Sequence, residues 1–421
     1  MEVFGRKMIS RVREALSKAK LSSEGLVFCC FVGVFLTMPI GTSPPIIFGV
    51  LGVFIWLVSG MVFRVKPLFK QSWLWPVIPF AILPWLGLIY TPDPWGFGID
   101  YAGKTYYWLF CLALASLSFK NIELRWLIEA FLLGLAVNAC VGIMQFAGVI
   151  APKQGWFSGL TRGYNTLTVY LVLGILICAF YFREAEEQKK RFGLIVLMML
   201  YFFHLIIMEG RAGYLTFILL FPFMIKTLFR KVSMWEIALV CVLIVGGMSF
   251  SPVVKKRIEL TVSQLKYHMS AAPDKAWGRE YTVHQDRFYM WKGAIQLFLE
   301  NPLIGVGTGG YSASLKETRD SDDPVIAHPH NNILYMATSY GMIGIVLFIW
   351  LFWELLRNGW KEKNTLVGHL VLCAALVLFL NGLFNTTILD AGTVLLLTLV
   401  VGLQRASAGF SGRLQPDCAL A

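Results

Sequence analysis

Residues 192–229 read FGLIVLMMLYFFHLIIM, then EGR, then AGYLTFILLFPFMIKTLF. Two apolar runs, 192–208 and 212–229, are separated only by Glu209, Gly210 and Arg211. A helix that crosses the hydrocarbon core of a bilayer needs about 20 mostly apolar residues. Each run is long enough, so the stretch reads as two spanning helices joined by a charged turn. An arginine at that depth is costly and normally faces a cavity or a partner; Arg211 is therefore either a site residue or a side chain that snorkels to lipid phosphates or pairs with Glu209.

The pattern extends along the whole chain. Of its 421 residues, 57% are hydrophobic and 15% are charged, against about 45–50% and about 25% in soluble domains. The expected fold is all-α, a polytopic membrane protein with about 12 transmembrane helices, at 25–41, 45–63, 73–90, 105–119, 126–149, 165–182, 192–208, 212–229, 235–251, 332–356, 365–384 and 388–404. Met1 to Lys20 is basic and polar, and Gly41 to Pro45 separates the first two apolar runs. They are expected to be a retained hairpin and not a cleaved signal. Seven of the eight cysteines lie in apolar runs without CxxC spacing, which reads as small buried hydrophobes and not as disulfides or a metal site.

Lys and Arg set orientation, because they concentrate in cytoplasmic loops. With the N-terminus inside, Arg6, Lys7, Arg11, Arg13, Lys18 and Lys20, then Arg64, Lys66 and Lys70, all fall on the cytoplasmic side. So do Arg183, Lys189, Lys190 and Arg191, then Arg357, Lys361 and Lys363. The net charge of +12 is thus mostly topology and does not point to nucleic acid. The chain divides into 1–251 with nine spans, 252–331 as one large helical periplasmic loop, and 332–421 with three spans and a cytoplasmic tail. In that loop Val254, Ile258, Val262, Leu265 and Met269 form one apolar stripe at helical spacing, and Phe288, Trp291, Ile295, Phe298 and Leu299 form another. Two amphipathic helices at the membrane–water interface are expected there.

Candidate chemistry also lies on the outside. Arg287 stands in Asp286-Arg287-Phe288, and His328-Pro329-His330-Asn331-Asn332 precedes the tenth span. Asn331 is a good N-cap, and the helix dipole would disfavour a protonated imidazole beside it, which suits His330 to base chemistry. The His328/His330 pair alone is too few ligands for zinc, and Asp320-Ser321-Asp322 reads most simply as a solvated loop. Gly305-Val306-Gly307-Thr308-Gly309-Gly310 lacks the strand–helix setting of a phosphate loop; it is expected to form turns or to approach a ligand closely. Between 252 and 292 the basic side chains Lys255, Lys256, Arg257, Lys266, Lys275, Arg279, Arg287 and Lys292 outnumber Glu259, Asp274, Glu280 and Asp286. A basic segment on the face where positive charge is normally sparse implies an anionic ligand.

Taken in order, Glu209 to Tyr214, Asp286 to Trp291, Asn301 to Tyr311, His328 to Tyr335 and Tyr340 to Gly344 resemble the O-antigen ligase and O-antigen polymerase superfamily. The motifs span roughly 160–350. The resemblance implies a GT-C-like enzyme of the bacterial inner membrane with its site on the periplasmic face. It moves a glycan from undecaprenyl diphosphate to a sugar hydroxyl of lipid A–core, without a metal or other cofactor. His330 would be the general base, and Arg211 and Arg287 would neutralise the departing diphosphate. Arg279, Lys255, Lys256, Arg257, His328 and Asn331 would complete the binding surface. A polymerase that extends the lipid-linked glycan uses the same donor; the basic outer segment favours a ligase, because lipid A–core carries phosphates. A non-catalytic transporter fits less well, since Glu129, Asn138, Gln145 and His204 are the main polar groups within the spans.

Overall fold

A computed structural model describes residues 22–118, 121–152, 157–161, 163–208, 210–229, 287–316 and 326–408, with scattered positions between 231 and 266. All regular structure among the described residues is helical. Helix α1 (Ser23–Thr37) starts where Ser22 caps the Gly25 N–H, and α2 (Ser43–Val58) starts at Pro44 and Pro45 and folds back on it as the expected hairpin. Gly60, at φ +71°, then turns the chain by 95° into a 3-10 segment, Met61–Lys70. The second span therefore ends at Val58, five residues before its expected limit. There follow α3 (Leu74–Gly87), the short α4 (Ile99–Gly103), α5 (Tyr107–Ala115), α6 (Asn121–Phe146), α7 (Tyr164–Glu184), α8 (Gln188–Ile207) and α9 (Arg211–Leu228). Next come α10 (Arg287–Glu300), α11 (Gly310–Lys316), α12 (Asn332–Lys361), α13 (Leu366–Gly382) and α14 (Ala391–Ala408).

Among the described residues, five helices are long and apolar enough to cross a membrane, within α6, α7, α8, α9 and α12. The bent α2 pair adds a sixth, and α1, α3, α13 and Ala391–Gln404 of α14 are shorter apolar helices. The all-α polytopic architecture is thus as the sequence implies. The expected span 235–251 and most of the stripe Val254–Met269 lie outside the described residues, while Ile258 and Val262 are helical and exposed. Helix α7 is the axis of the bundle. Its residues from Thr166 to Phe180 are all buried, as a helix apolar on every side must be, and α8, α9 and α13 pack around it. Helix α8 turns Phe192, Ile195, Val196, Met199 and Phe203 outward, where lipid is their natural solvent. Four of the six described cysteines are buried; Cys29 and Cys140 are instead on the outer surface of the bundle, correcting the expectation of uniform burial.

Helix α12 is broken at Gly341, whose φ +61° and ψ −150° are accessible almost only to glycine. The break frees backbone groups that lipid cannot satisfy. The glycine-rich stretch satisfies them. Val306 and Gly307 donate their N–H groups to the Thr338 and Ser339 carbonyls at 2.7 and 2.9 Å, and Met342 N–H donates to Pro302 at 2.8 Å. Thr308 Oγ1 donates to the Pro84 carbonyl at 2.7 Å and its N–H to Gly87 at 3.2 Å, clamping α3 to the same point. Gly305, Gly307 and Gly309 all have positive φ. The close backbone approach expected of this motif is therefore made to the protein's own backbone.

Helix α10 also departs from expectation in which face it buries. Met290, Ala294 and Leu297 point inward and form a small core with Tyr311, Leu315 and Ile326, whereas Ile295 and Leu299 of the expected stripe are exposed. Trp291 of that stripe lies half-buried at the edge of this core, as does Leu334 of α12.

Replacing Gly341 tests the brace. A Cβ there would lie 2.3 Å from the Leu303 carbonyl carbon in a backbone conformation hostile to L-residues. Gly341→Ala should cost about 1–3 kcal/mol or more, seen as a lower melting temperature of detergent-purified protein. Gly193→Ala, where the Cβ meets open space, should be neutral or slightly stabilising.

Candidate active site

The site is built from three chain breaks at one end of the bundle. The first is the turn between α8 and α9. Met208 is extended and Gly210 sits at φ −80°, ψ 86°, so the chain reverses within three residues. The Tyr214 phenol spans the turn, donating to the Met208 carbonyl and, at 3.3 Å, to Ile206. Gly210 and Gly213 lie directly on Thr168 of α7; a Cβ at either would come within 2.7 and 2.5 Å of its side chain. This close seating brings Arg211, first residue of α9, within electrostatic reach of Tyr164, first residue of α7. Arg211 Nη1 also donates to Thr261 Oγ1 at 3.0 Å.

The second element is the start of α10. Arg287 lies partly buried, and its Nη2 donates to Asn385 Oδ1 at 3.1 Å. Burial first, and then the charge of Arg211, push its pKa down to about 10, with Tyr164 acting the other way. Arg287 therefore remains a cation at neutral pH. Two arginines far apart in sequence are thus close enough in space for the charge of Arg211 to disfavour that of Arg287.

The third element is the entry to α12. Asn331 is its N-cap as expected: the side chain accepts the Leu334 N–H at 3.0 Å and donates to the Leu383 carbonyl at 2.9 Å. Asn332 donates to Thr387 Oγ1 at 2.7 Å and accepts the Ile388 N–H at 3.2 Å. Together they sew the histidine segment onto the turn between α13 and α14. His328 and His330 meet edge to face, ring centres 4.4 Å apart. His330 has φ +52°, the only positive value among the described residues other than glycine, and such outliers gather at functional sites. His328 is pushed down to about 4, by burial and then by the charges of Lys104 and Arg287, and its Nδ1 has no hydrogen-bond partner.

Three further residues join the site. Lys104 Nζ donates to the Leu389 carbonyl at 2.6 Å and lies over the Tyr101 ring. Burial lowers its pKa, opposed by Asp390 and Asp100. Asp390 accepts from Thr166 Oγ1, and Tyr164 links the two arginines. The site therefore offers guanidinium and ammonium groups from three separate elements beside a neutral imidazole. That combination suits a doubly charged phosphate ligand and a proton acceptor near it.

Residues 156–349 match the family model of the O-antigen ligase. That stretch is similar to the O-antigen ligase domain. Over about half of the chain there is also similarity to provisionally named polysaccharide ligases. The one from Rickettsia conorii is 27% identical over 49% of this chain and 47% of its own length. That from Rickettsia felis is 26% identical over 49% and 48%, and that from Rickettsia prowazekii 25% over 47% and 46%. The matched region thus spans about half the length of each relative. The matched stretch contains Tyr164, Arg211, Arg287, His328, His330 and Asn331, whereas Lys104, Asn385 and Asp390 reach the site from outside it.

Of the residues singled out in the sequence, Arg211, Arg287 and His328 are linked electrostatically, and His330 and Asn331 adjoin them. Lys255 is exposed on a helical position. Glu209, Lys256, Arg257, Arg279 and Asp320 to Asp322 lie outside the described residues. Within the spans, Asn138 and Gln145 bond the backbone of 158–160, and His204 Nε2 meets the Phe157 carbonyl at 2.8 Å. These groups hold a loop. Sequence reasoning missed Asp390, Asn385 and Tyr164, and counted Lys104 only as one outside cation among many. Asp390 carried a usable signal, a lone carboxylate between two apolar runs.

The depressed pKa of His328 has a thermodynamic consequence. The folded value, about 4, lies below the unfolded value of about 6.5. As pH falls from 6.5 toward 4, the unfolded chain takes up a proton that the folded site refuses, so stability is lost. The melting temperature should fall over this range in the wild type, and less steeply in His328→Gln. Identical slopes would show that His328 protonates freely.

Proposed function

We propose that the protein is a glycosyltransferase of the bacterial inner membrane that acts on the periplasmic face. It transfers a glycan from undecaprenyl diphosphate to a sugar hydroxyl of lipid A–core. The observation that carries this reading is the convergence of Arg211 and Arg287, from separate elements, beside the His328–His330 segment. The donor is already activated, so the protein must supply two things. Arg211 and Arg287 hold the diphosphate through their planar guanidinium forks and stabilise the charge that grows as it leaves. His330 accepts the proton of the acceptor hydroxyl as its oxygen bonds to the anomeric carbon and the bond from that carbon to the diphosphate oxygen breaks. Lys104 adds a third cation. Arg279, Lys255, Lys256 and Arg257 belong to the basic segment that would meet the phosphates of lipid A–core, which favours a ligase over a polymerase. No cofactor has a part in this scheme.

Orientation is testable directly. In a cysteine-free background, a cysteine at Glu300 should be labelled by a membrane-impermeant maleimide from the periplasm and one at Glu186 should not; the reverse pattern would remove the periplasmic assignment.

Division of labour is testable by binding. His330→Ala should cut transfer by about 10²–10⁴-fold yet bind undecaprenyl diphosphate in nanodiscs almost normally. Arg211→Ala and Arg287→Ala should lose both transfer and affinity, and lysine at either position should restore little, because a point charge lacks the bidentate fork. If His330→Ala loses affinity as the arginine variants do, it is a phosphate ligand, and His328 or Glu209 becomes the candidate base.

A further inference from the structure

Arg287 is held by a side chain that carries no charge. Its Nη2 donates to Asn385 Oδ1 at 3.1 Å. Asn385 Nδ2 donates to Asn381 Oδ1 at 3.0 Å, Asn381 Nδ2 to Thr216 Oγ1 at 3.3 Å, and Thr216 Oγ1 to the Ala212 carbonyl at 2.7 Å. Asn381 and Thr216 are completely buried and Asn385 is 3% exposed. Amide orientations are set by the network they sit in, and here the network allows only one. A guanidinium can only donate, so the Asn385 oxygen must face it. Its nitrogen must then face the Asn381 oxygen, the Asn381 nitrogen must face Thr216, and the Thr216 hydrogen is left for the Ala212 carbonyl. The direction of every bond follows from the first. The chain runs from one arginine to the residue next to the other, crossing α13 to reach α9.

We propose that Asn385 is a positioning residue for the lipid-linked diphosphate: through Asn381 and Thr216 it ties Arg287 to the helix that carries Arg211, and as a neutral partner it leaves the charge of Arg287 available to the ligand. This rests on the reading of the arginines as the diphosphate site. A carboxylate at 385 would hold Arg287 equally well, but as a buried ion pair whose charge is already spent. An amide holds it through a charge-assisted hydrogen bond without neutralising it. Because the amides are buried and each is bonded at both its oxygen and its nitrogen, the position of the Arg287 guanidinium relative to the backbone that carries Arg211 is set by the bundle. A diphosphate needs that: two anionic groups at a near-constant spacing.

The test is a double-mutant cycle on affinity for undecaprenyl diphosphate, with melting temperature as the check on folding. Asn385→Asp keeps the acceptor facing Arg287, and Asn381 can reverse its amide to donate to the new carboxylate, so the protein should fold. Affinity should fall by roughly ten- to a hundredfold, the value of a hydrogen bond to a charged group. In the Arg287→Ala background the same substitution should cost almost nothing further. Asn385→Ala serves as the second variant; it also weakens binding, and also not additively with Arg287→Ala. Normal affinity in Asn385→Asp, or losses that simply add to that of Arg287→Ala, would reduce Asn385 to a structural amide while leaving the diphosphate site intact. If Arg287→Ala itself binds as the wild type does, the functional reading falls, and the positioning role with it.

Discussion

Two arginines that repel each other are held at the end of a helical bundle that otherwise presents apolar surface to its surroundings. Burial and the charge of Arg211 both disfavour the charge of Arg287, and such a placement persists only if the surrounding structure over-determines it. Much of the local architecture can be traced to that requirement. Gly210 and Gly213 let α9 press on Thr168 so that Arg211 emerges at Tyr164. The buried amides of α13 receive Arg287 and are satisfied in turn by α9. Asn331 and Asn332 pin the histidine segment to the α13–α14 turn that also carries Asn385 and Asp390.

The break in α12 belongs to the same economy of backbone groups. A span interrupted at Gly341 would leave carbonyls unpaired at a depth where water is scarce. The glycine-rich stretch after α10 supplies the missing donors. The brace therefore joins the helix that starts with Arg287 to the helix that follows His330. Arginine and imidazole are positioned by one continuous backbone arrangement, which the glycines of 305–309 make possible through close backbone contacts. The match to the O-antigen ligase family model covers this region, from the turn before α7 to the middle of α12. Lys104, Asn385 and Asp390, which join the candidate site, come from short connections between helices outside the matched stretch.

Much of the fold was legible in the sequence because lipid simplifies the reading. Apolar run length alone marks the helices of α6 to α9 and α12, and Pro44 and Pro45 mark the start of α2. The order of the motifs was enough to single out Arg211, Arg287, His328 and His330. Local pattern failed where tertiary packing chose between faces. On α10 Phe288, Trp291, Ile295 and Leu299 read as the buried stripe, but the core with Tyr311, Leu315 and Ile326 takes Met290, Ala294 and Leu297, keeps Trp291 at its edge and leaves Ile295 and Leu299 exposed.

What the sequence by itself determined is the inventory: helices long enough to span, glycines where the chain must turn or touch, and cations in places where membrane proteins rarely put them. Only the tertiary structure decided which of those cations meet. Nothing in the spacing of Arg211 and Arg287 says that they share a site, because hydrogen bonds between distant helices are invisible to periodicity. Asn381 and Asn385 read as ordinary polar residues at the end of an apolar run. They become part of the site only when α13 is packed between α9 and the start of α10, where an unpaired amide would be costly and a guanidinium is the donor within reach.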